Sequence, residues 1–301
     1  MTIAQEYVAE LNAIANRYGE LEDTTIRRML SMLKELRQRI AAQVATVQGF
    51  DAVHLRELRA NVEAQIETFE GQLASELQSA MQGAVQTGMD SVVQPFETVG
   101  LRSGYHRFST AQTNAIVDFS ARLVKQISDQ ARAKIDQQIR LAVLGDKSPL
   151  DAMKGITSDL GIDARTGVWK ARPDPVKGVA ARGETILRTE MQRAFNLATH
   201  SQQIASAQQI PDLTKSWVAT ADGRTRPTHL RAHMRYKSNP IPVDEPFVVG
   251  TARLMYPCDP NGPPGETINC RCRSVTHHPA LGRVGSSLDG RVAAELKRRA
   301  A

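Results

Sequence analysis

Aromatic side chains are scarce, at 5% of 301 residues, fewer than a single large globular core normally uses. Cysteine is scarcer still. Three residues are too few for a disulfide framework, and the odd number fits a reducing compartment. No run of about 18 apolar residues occurs, which excludes a conventional transmembrane helix. The amino-terminal stretch is polar and periodic without an apolar h-region, so no signal peptide is expected. What is present is ordinary. Hydrophobic residues at 41% and charged residues at 23% exclude both a disordered polyelectrolyte and a membrane protein. The length fits about two domains.

Charge is unevenly distributed. Residues 1–176 hold 20 basic and 22 acidic side chains, whereas residues 177–301 hold 18 and 10. A basic half is compatible with a polyanionic partner and equally with a solvated basic face.

The amino-terminal half reads as long helices. Ile26, Leu30, Leu33, Leu36, Ile40, Val44 and Val47 form one stripe over 22–48. Gly49 interrupts it, and Asp51 is placed to cap the next helix. Over 52–94, Leu55, Leu58, Val62, Ile66, Phe69, Leu73, Leu77 and Ala80 repeat at eleven residues, the spacing of a nearly straight stripe. Gly83 and Gly88 weaken the far end, and Pro95 is expected to stop the helix. A third stripe runs from Ile116 to Ala142, with Thr110 as its cap and Gly145 as its end. A short helix near 148–160 and the linker GVWKARPDPVKG follow. Nothing here has catalytic spacing. Long helices with narrow stripes fit either a docking arm or an ordinary bundle.

The carboxy-terminal half changes texture. A helix over 182–209 carries Arg188, Glu190 and Asn196. Glu190 and Arg193 are spaced as a surface ion pair, and an asparagine inside a helix implies a specific bond for its amide. Lys215–Thr220 reads as a strand, Ala221-Asp-Gly-Arg as a turn, and Pro227 opens a short helix bearing His229 and His233. Phe247–Val249 and Ile268–Val275 read as strands around an irregular loop. The fold class is therefore mainly α, with long helices in the amino-terminal half and a small α+β module of short strands in the carboxy-terminal half. The expected divisions are 1–176, 177–278 and a flexible basic tail, 279–301.

The ordered set W-V-A-T-A-D-G-R-T-R-P-T-H (217–229), F-x-x-G (247–250), L-M-Y-P-C-D-P (254–260) and I-N-C-R-C (268–272) resembles the phage head morphogenesis family, the Mu F-protein-like minor head proteins. The helix with Arg188, Glu190 and Asn196 is similar to that family's upstream signature, and the resemblance covers roughly 182–276. It places Trp217, Asp222, Arg226, His229, Asn269, Cys270 and Cys272 in the signature. It departs at Cys258, where the family usually has glycine. The resemblance implies a structural protein of a tailed-phage head, located in the virion near the portal and in the host cytoplasm during assembly. Its implied partners are the portal protein and scaffold or other head proteins, in an oligomeric setting. Some relatives carry a further toxin domain, for which the roughly 30 residues after Cys272 are too few.

His229, His233, Cys258, Cys270 and Cys272 offer enough ligands for a tetrahedral structural zinc, the one cofactor the sequence raises, in the set His229, Cys258, Cys270 and Cys272. Against it, a regular strand over 268–275 would hold the Cys270 and Cys272 Cβ atoms about 6–7 Å apart. Buried thiols packing the strand, with His229 in a polar contact, is the competing reading. Histidines with Asp222 and Asp259 raise a metal-dependent nuclease, but without an assembled motif. A sequence-independent DNA-binding protein is the other alternative, since no base-reading motif occurs. Residues 288–300 suggest a helix ending in Lys297, Arg298 and Arg299. These cations complement a helix carboxy-terminus or contact DNA.

Overall fold

The computed structural model describes residues 2–46, 52–108, 110–144, 146–160, 178–281 and 289–300. Gly49, Asp51, Gly145 and nearly all of the 167–178 linker lie outside them, as do the side chains of Val44, Leu55, Thr110 and Ile116. The long helices are α1 (Ile3–Thr46), α2 (Ala52–Thr98), α3 (Thr110–Val143) and α5 (Val179–Ala207), with the short α4 (Pro149–Asp159) between the last two. No described helix is long and apolar enough to cross a membrane.

The chain forms two compact units whose sequences interleave. One comprises 1–22, 80–113 and 188–301; the other comprises 23–79 and 114–187. They partition the chain differently from the divisions expected at 176 and 278.

The all-helical unit buries the stripes read from the sequence. Leu33 and Ile40 of α1, Ile66 and Leu73 of α2, and Ile127, Ala131 and Ile135 of α3 are all essentially inaccessible, while in α1 Met29 is buried beside Leu30, the stripe residue, which is only half-buried. Arg132 fastens its surface through two bonds to the Glu63 carboxylate, and Arg59 through Asp136 at 2.6 Å. Ser148 caps α4 by accepting from the Asp151 amide, with Pro149 at the first helical position, where its missing N–H costs nothing.

The mixed unit is built on α5 and a three-stranded antiparallel sheet. β1 (Thr214–Val218) lies between β2 (Ile241–Pro242) and β5 (Arg273–His277), with Trp217 opposite Ser274 and Val218 opposite Arg273. A hairpin of β3 (Phe247–Val249) and β4 (Ala252–Leu254), the helix α6 (Pro227–Ser238), the single turn α7 (Pro264–Thr267) and the terminal helix α8 (Asp289–Ala300) complete it. The amino-terminal end of α1 belongs to this unit too. The Tyr7 hydroxyl donates to the Thr276 carbonyl at 2.7 Å, and Tyr18 stacks at a tilt on Phe195, centroids 4.5 Å apart.

Three local expectations change. Pro95 does not stop α2, which runs on to Thr98 because Val92, Val93 and Phe96 are fully buried and hold the last turn. Gly100, with φ at 79°, then turns the chain away. Gly88 is a contact rather than a weakness. A side chain there would strike the Phe195 carbonyl, and without one α2 approaches α5 closely enough for Thr199 to donate to the Gly88 carbonyl at 3.1 Å. Residues 268–272 are not strand, since β5 begins only at Arg273.

The proposed flexible tail is in part ordered packing. Residues 279–281 form a 3-10 turn, and Val292 of α8 is buried in the same apolar cluster as Trp217 and Phe247. Arg299 donates to the Thr225 and Gly223 carbonyls at 2.7 and 2.9 Å. Residues 282–288 are outside the described residues.

Candidate functional site: the cysteine loop and the adjoining cleft

One face of α5 is a buried polar stripe. Gln192, Asn196, Thr199, Gln203 and Ser206 step by four, three, four and three, and each is at most 2% exposed. Buried polar groups need partners; Thr199 and Ser206 find theirs in Gly88 and Ser103, and Gln192, Asn196 and Gln203 find theirs in Cys272 and β5. The Asn196 amide donates to the Cys272 carbonyl at 3.1 Å, while its oxygen accepts the Ser274 amide at 3.2 Å. Gln192 donates to the same Cys272 carbonyl, and Gln203 donates to Ser274 and Thr276.

The loop before β5 is fixed equally closely. Arg226 donates to the Ile268 carbonyl at 2.6 Å, Cys258 to the Cys270 carbonyl at 3.4 Å, and Thr220 to the Arg271 carbonyl at 2.8 Å. Asn269 takes a left-handed conformation, with φ at 55°, and its amide donates to Thr189. This non-strand course replaces the regular alternation that would have kept Cys270 and Cys272 apart, and the Cys272 amide donates to the Cys270 sulfur at 3.5 Å.

His229, on the buried side of α6, completes the cluster. Its Nδ1 lies 3.2 Å from the Cys272 sulfur and 3.6 Å from that of Cys270, while its Nε2 lies 2.9 Å from a Glu266 carboxylate oxygen. These three donor atoms all lie within 4.8 Å of one another. Trp217 stands edge-on to the His229 ring at 5.3 Å. Cys258 is fully buried beside them with φ at 65°, and His233 instead accepts the Ala219 amide. Burial pushes the Cys258 and Cys272 thiols well up. The Cys270 thiol, although burial acts on it in the same direction, is held well below the ordinary value by hydrogen bonds with Cys258, Cys272 and His229.

The remaining signature residues are structural staples. Glu190 is buried rather than superficial. Burial raises its carboxyl to about 7 despite its paired bonds from Arg193, and Arg193 also donates to the Cys258 carbonyl at 3.2 Å. Arg188 reaches Glu22 at 3.5 Å. Burial would raise Asp222, but the Arg271 guanidinium at 2.6 Å, with the Arg224 amide and the Thr225 hydroxyl, holds it well below the carboxylate range. Asp259 accepts the Met255 and Asn261 amides and organises its own loop. Among the described residues the only potential metal-ligand group of three or more is the His229 cluster, which contains neither aspartate.

Beside Asp222 opens a cleft of about 420 Å³, lined among others by Tyr18, Glu22, Arg271, Arg273 and Arg291. The Tyr18 hydroxyl is buried there with no hydrogen-bond partner among the described residues. Of the tail cations, Arg298 and Arg299 both bond Glu295, at 2.6 and 2.7 Å.

Sequence reasoning missed Glu266, the Arg193 link to Cys258, and the parts played by Tyr7 and Tyr18. The polar stripe of α5 was the available signal, because amides and hydroxyls at helical spacing mark one face as surely as leucines do.

Residues 134–275 match the family model described as Phage Mu protein F like protein. The match begins within α3, well before the signature at 182. No curated protein and no solved structure matches the chain.

Proposed function

We propose, from the match of residues 134–275 to the Phage Mu protein F like family model, that this chain is a structural minor head protein of a tailed phage, associated with the portal vertex and assisting head assembly, DNA packaging or ejection. The family match carries this reading. The geometry agrees with it, since the signature residues hold a module together and do not surround a reacting atom. Asp222 and Asp259 are both engaged as hydrogen-bond acceptors within their own loops, which disfavours a metal-dependent phosphodiesterase. The chain is accordingly read as non-catalytic, located in the virion head and in the host cytoplasm during assembly, and oligomeric where it meets the portal and other head proteins. Copurification of the full chain with its cognate portal protein is the test. A complex surviving gel filtration supports the reading, and clean separation at micromolar concentration contradicts it.

A second reading concerns DNA, and it rests on Arg273 and Arg291 at the cleft. Phosphates are the chemistry these side chains recognise, without any reading of bases. The contact would be weak, sequence-independent and lost with salt.

A further inference from the structure

We propose that His229, Cys270, Cys272 and Cys258 form a structural zinc site that locks the cysteine loop onto α6, a property independent of the role in the head. Three observations carry it. The first is spacing. A tetrahedral zinc with bonds of about 2.3 Å to sulfur and 2.0–2.1 Å to nitrogen sets its ligands about 3.5–3.8 Å apart. His229 Nδ1 already stands 3.2 and 3.6 Å from the two sulfurs, and the three donor atoms share a sphere small enough for one ion.

The second is the histidine's orientation. Glu266 accepts at Nε2, which puts the ring proton on that nitrogen and leaves the Nδ1 lone pair facing the sulfurs. Glu266 is itself positioned by the Thr228 hydroxyl at 2.9 Å. A carboxylate behind a histidine is the arrangement that orients metal-bound imidazoles.

The third is the placement of Cys258. It is fully buried, its thiol bonds the carbonyl of Cys270, and its backbone occupies the left-handed region that favours glycine. A residue held in that conformation against its preference marks a site where the side chain itself is wanted. Its sulfur, turned to that carbonyl, lies outside the group formed by His229, Cys270 and Cys272, and a change of side-chain rotamer would bring it in as the fourth ligand. On binding, each cysteine gives its thiol proton to solvent as sulfur bonds the ion, and His229 enters neutral, with no oxidation or reduction. Three thiolates leave the site with one net negative charge, and the Arg193 guanidinium at the Cys258 carbonyl places a cation beside it.

The full chain, purified under reducing conditions and titrated with Zn²⁺, should take up close to one ion, and a chelator should lower its melting temperature. Co²⁺ in place of zinc should give thiolate charge-transfer absorption with the intense visible bands of a tetrahedral site. Since Cys272→Ser risks unfolding the module, two milder variants are decisive. Glu266→Gln should weaken zinc affinity about 10–100-fold while the metal-free melting temperature is retained, and Cys258→Ser should keep the ion but lose part of the charge-transfer intensity. A folded full chain that takes up no zinc, or whose melting ignores the chelator, overturns the proposal. Unchanged affinity in Glu266→Gln would remove His229 as a ligand, and an unchanged cobalt spectrum in Cys258→Ser would remove the fourth ligand; either overturns the site as drawn.

Discussion

The Asn196 side chain holds the Cys272 carbonyl at 3.1 Å, and its oxygen takes the Ser274 amide, so one helical residue grips the backbone on both sides of Arg273. Asparagine is the residue that supplies a donor and an acceptor from one planar group. Asn196→Leu would leave the Ser274 amide buried without its partner, at about 1–3 kcal/mol, while the Cys272 carbonyl would keep its bond from Gln192. Asn196→Asp would keep the acceptor but set a buried carboxyl oxygen against the Cys272 carbonyl, and should cost more than the leucine variant. Urea unfolding of both variants checks the order; variants as stable as the wild type would show that the grip contributes nothing.

The buried lysine of β1 predicts a pH dependence. Lys215 is fully inaccessible, donates to the Met255 carbonyl at 2.7 Å and lies over the Phe247 ring; burial lowers its pKa from 10.5 to about 8. Between those values the unfolded chain binds a proton that the folded chain does not, so stability rises with pH across that window. The raised thiols of Cys258 and Cys272 oppose this in the same window, so the measure is the wild-type urea midpoint relative to Lys215→Met, which should gain from pH 7.5 or so to about 9.5. A difference that shrinks over the same interval would contradict the assignment.

The helical stripes are covered by the chain itself. Ile66 and Leu73 are buried within the all-helical unit, so a charge at either position is placed in a core rather than on a free docking face. Leu73→Asp should cost at least about 3 kcal/mol, with loss of head incorporation as a consequence of unfolding. Calorimetry on the purified variant checks this. A normally melting variant that still fails to enter heads would restore the docking-arm interpretation.

For DNA, the full chain should bind duplexes without sequence preference, with affinity falling steeply in salt. Arg291→Ala should reduce the slope of log affinity against log salt by about one phosphate's share. Arg299→Ala should act differently, because its guanidinium holds α8 to the Gly223–Thr225 turn. It should lower stability more than it changes the salt slope. Strong discrimination between sequences would count against phosphate-driven contact.

The apolar stripes were legible because burial repeats at helical spacing. Leu33, Ile66, Leu73, Ile127 and Ile135 were all read correctly as buried faces. Asn196 was legible too, as an amide in need of a bond. Two kinds of feature were hidden. Pro95 and Gly88 carry local penalties that tertiary packing overrides, and the partners responsible, Tyr7 against Phe96 and Phe195 against Gly88, are far away in sequence. The convergence of Cys270 and Cys272 depends on a left-handed Asn269 and on donors from Arg226, Thr220 and Asn196, which distant segments bring to the loop. Strand alternation was the wrong template for those residues.

The central claim is that this chain is a component of the phage head. Quantitative mass spectrometry of purified heads, with peptides from 1–176 and from 177–301 measured separately, tests it most directly. The account predicts both sets at equal and low abundance, in proportion to the portal protein rather than to the shell. Heads that contain portal and shell proteins but no peptide of this chain would contradict it.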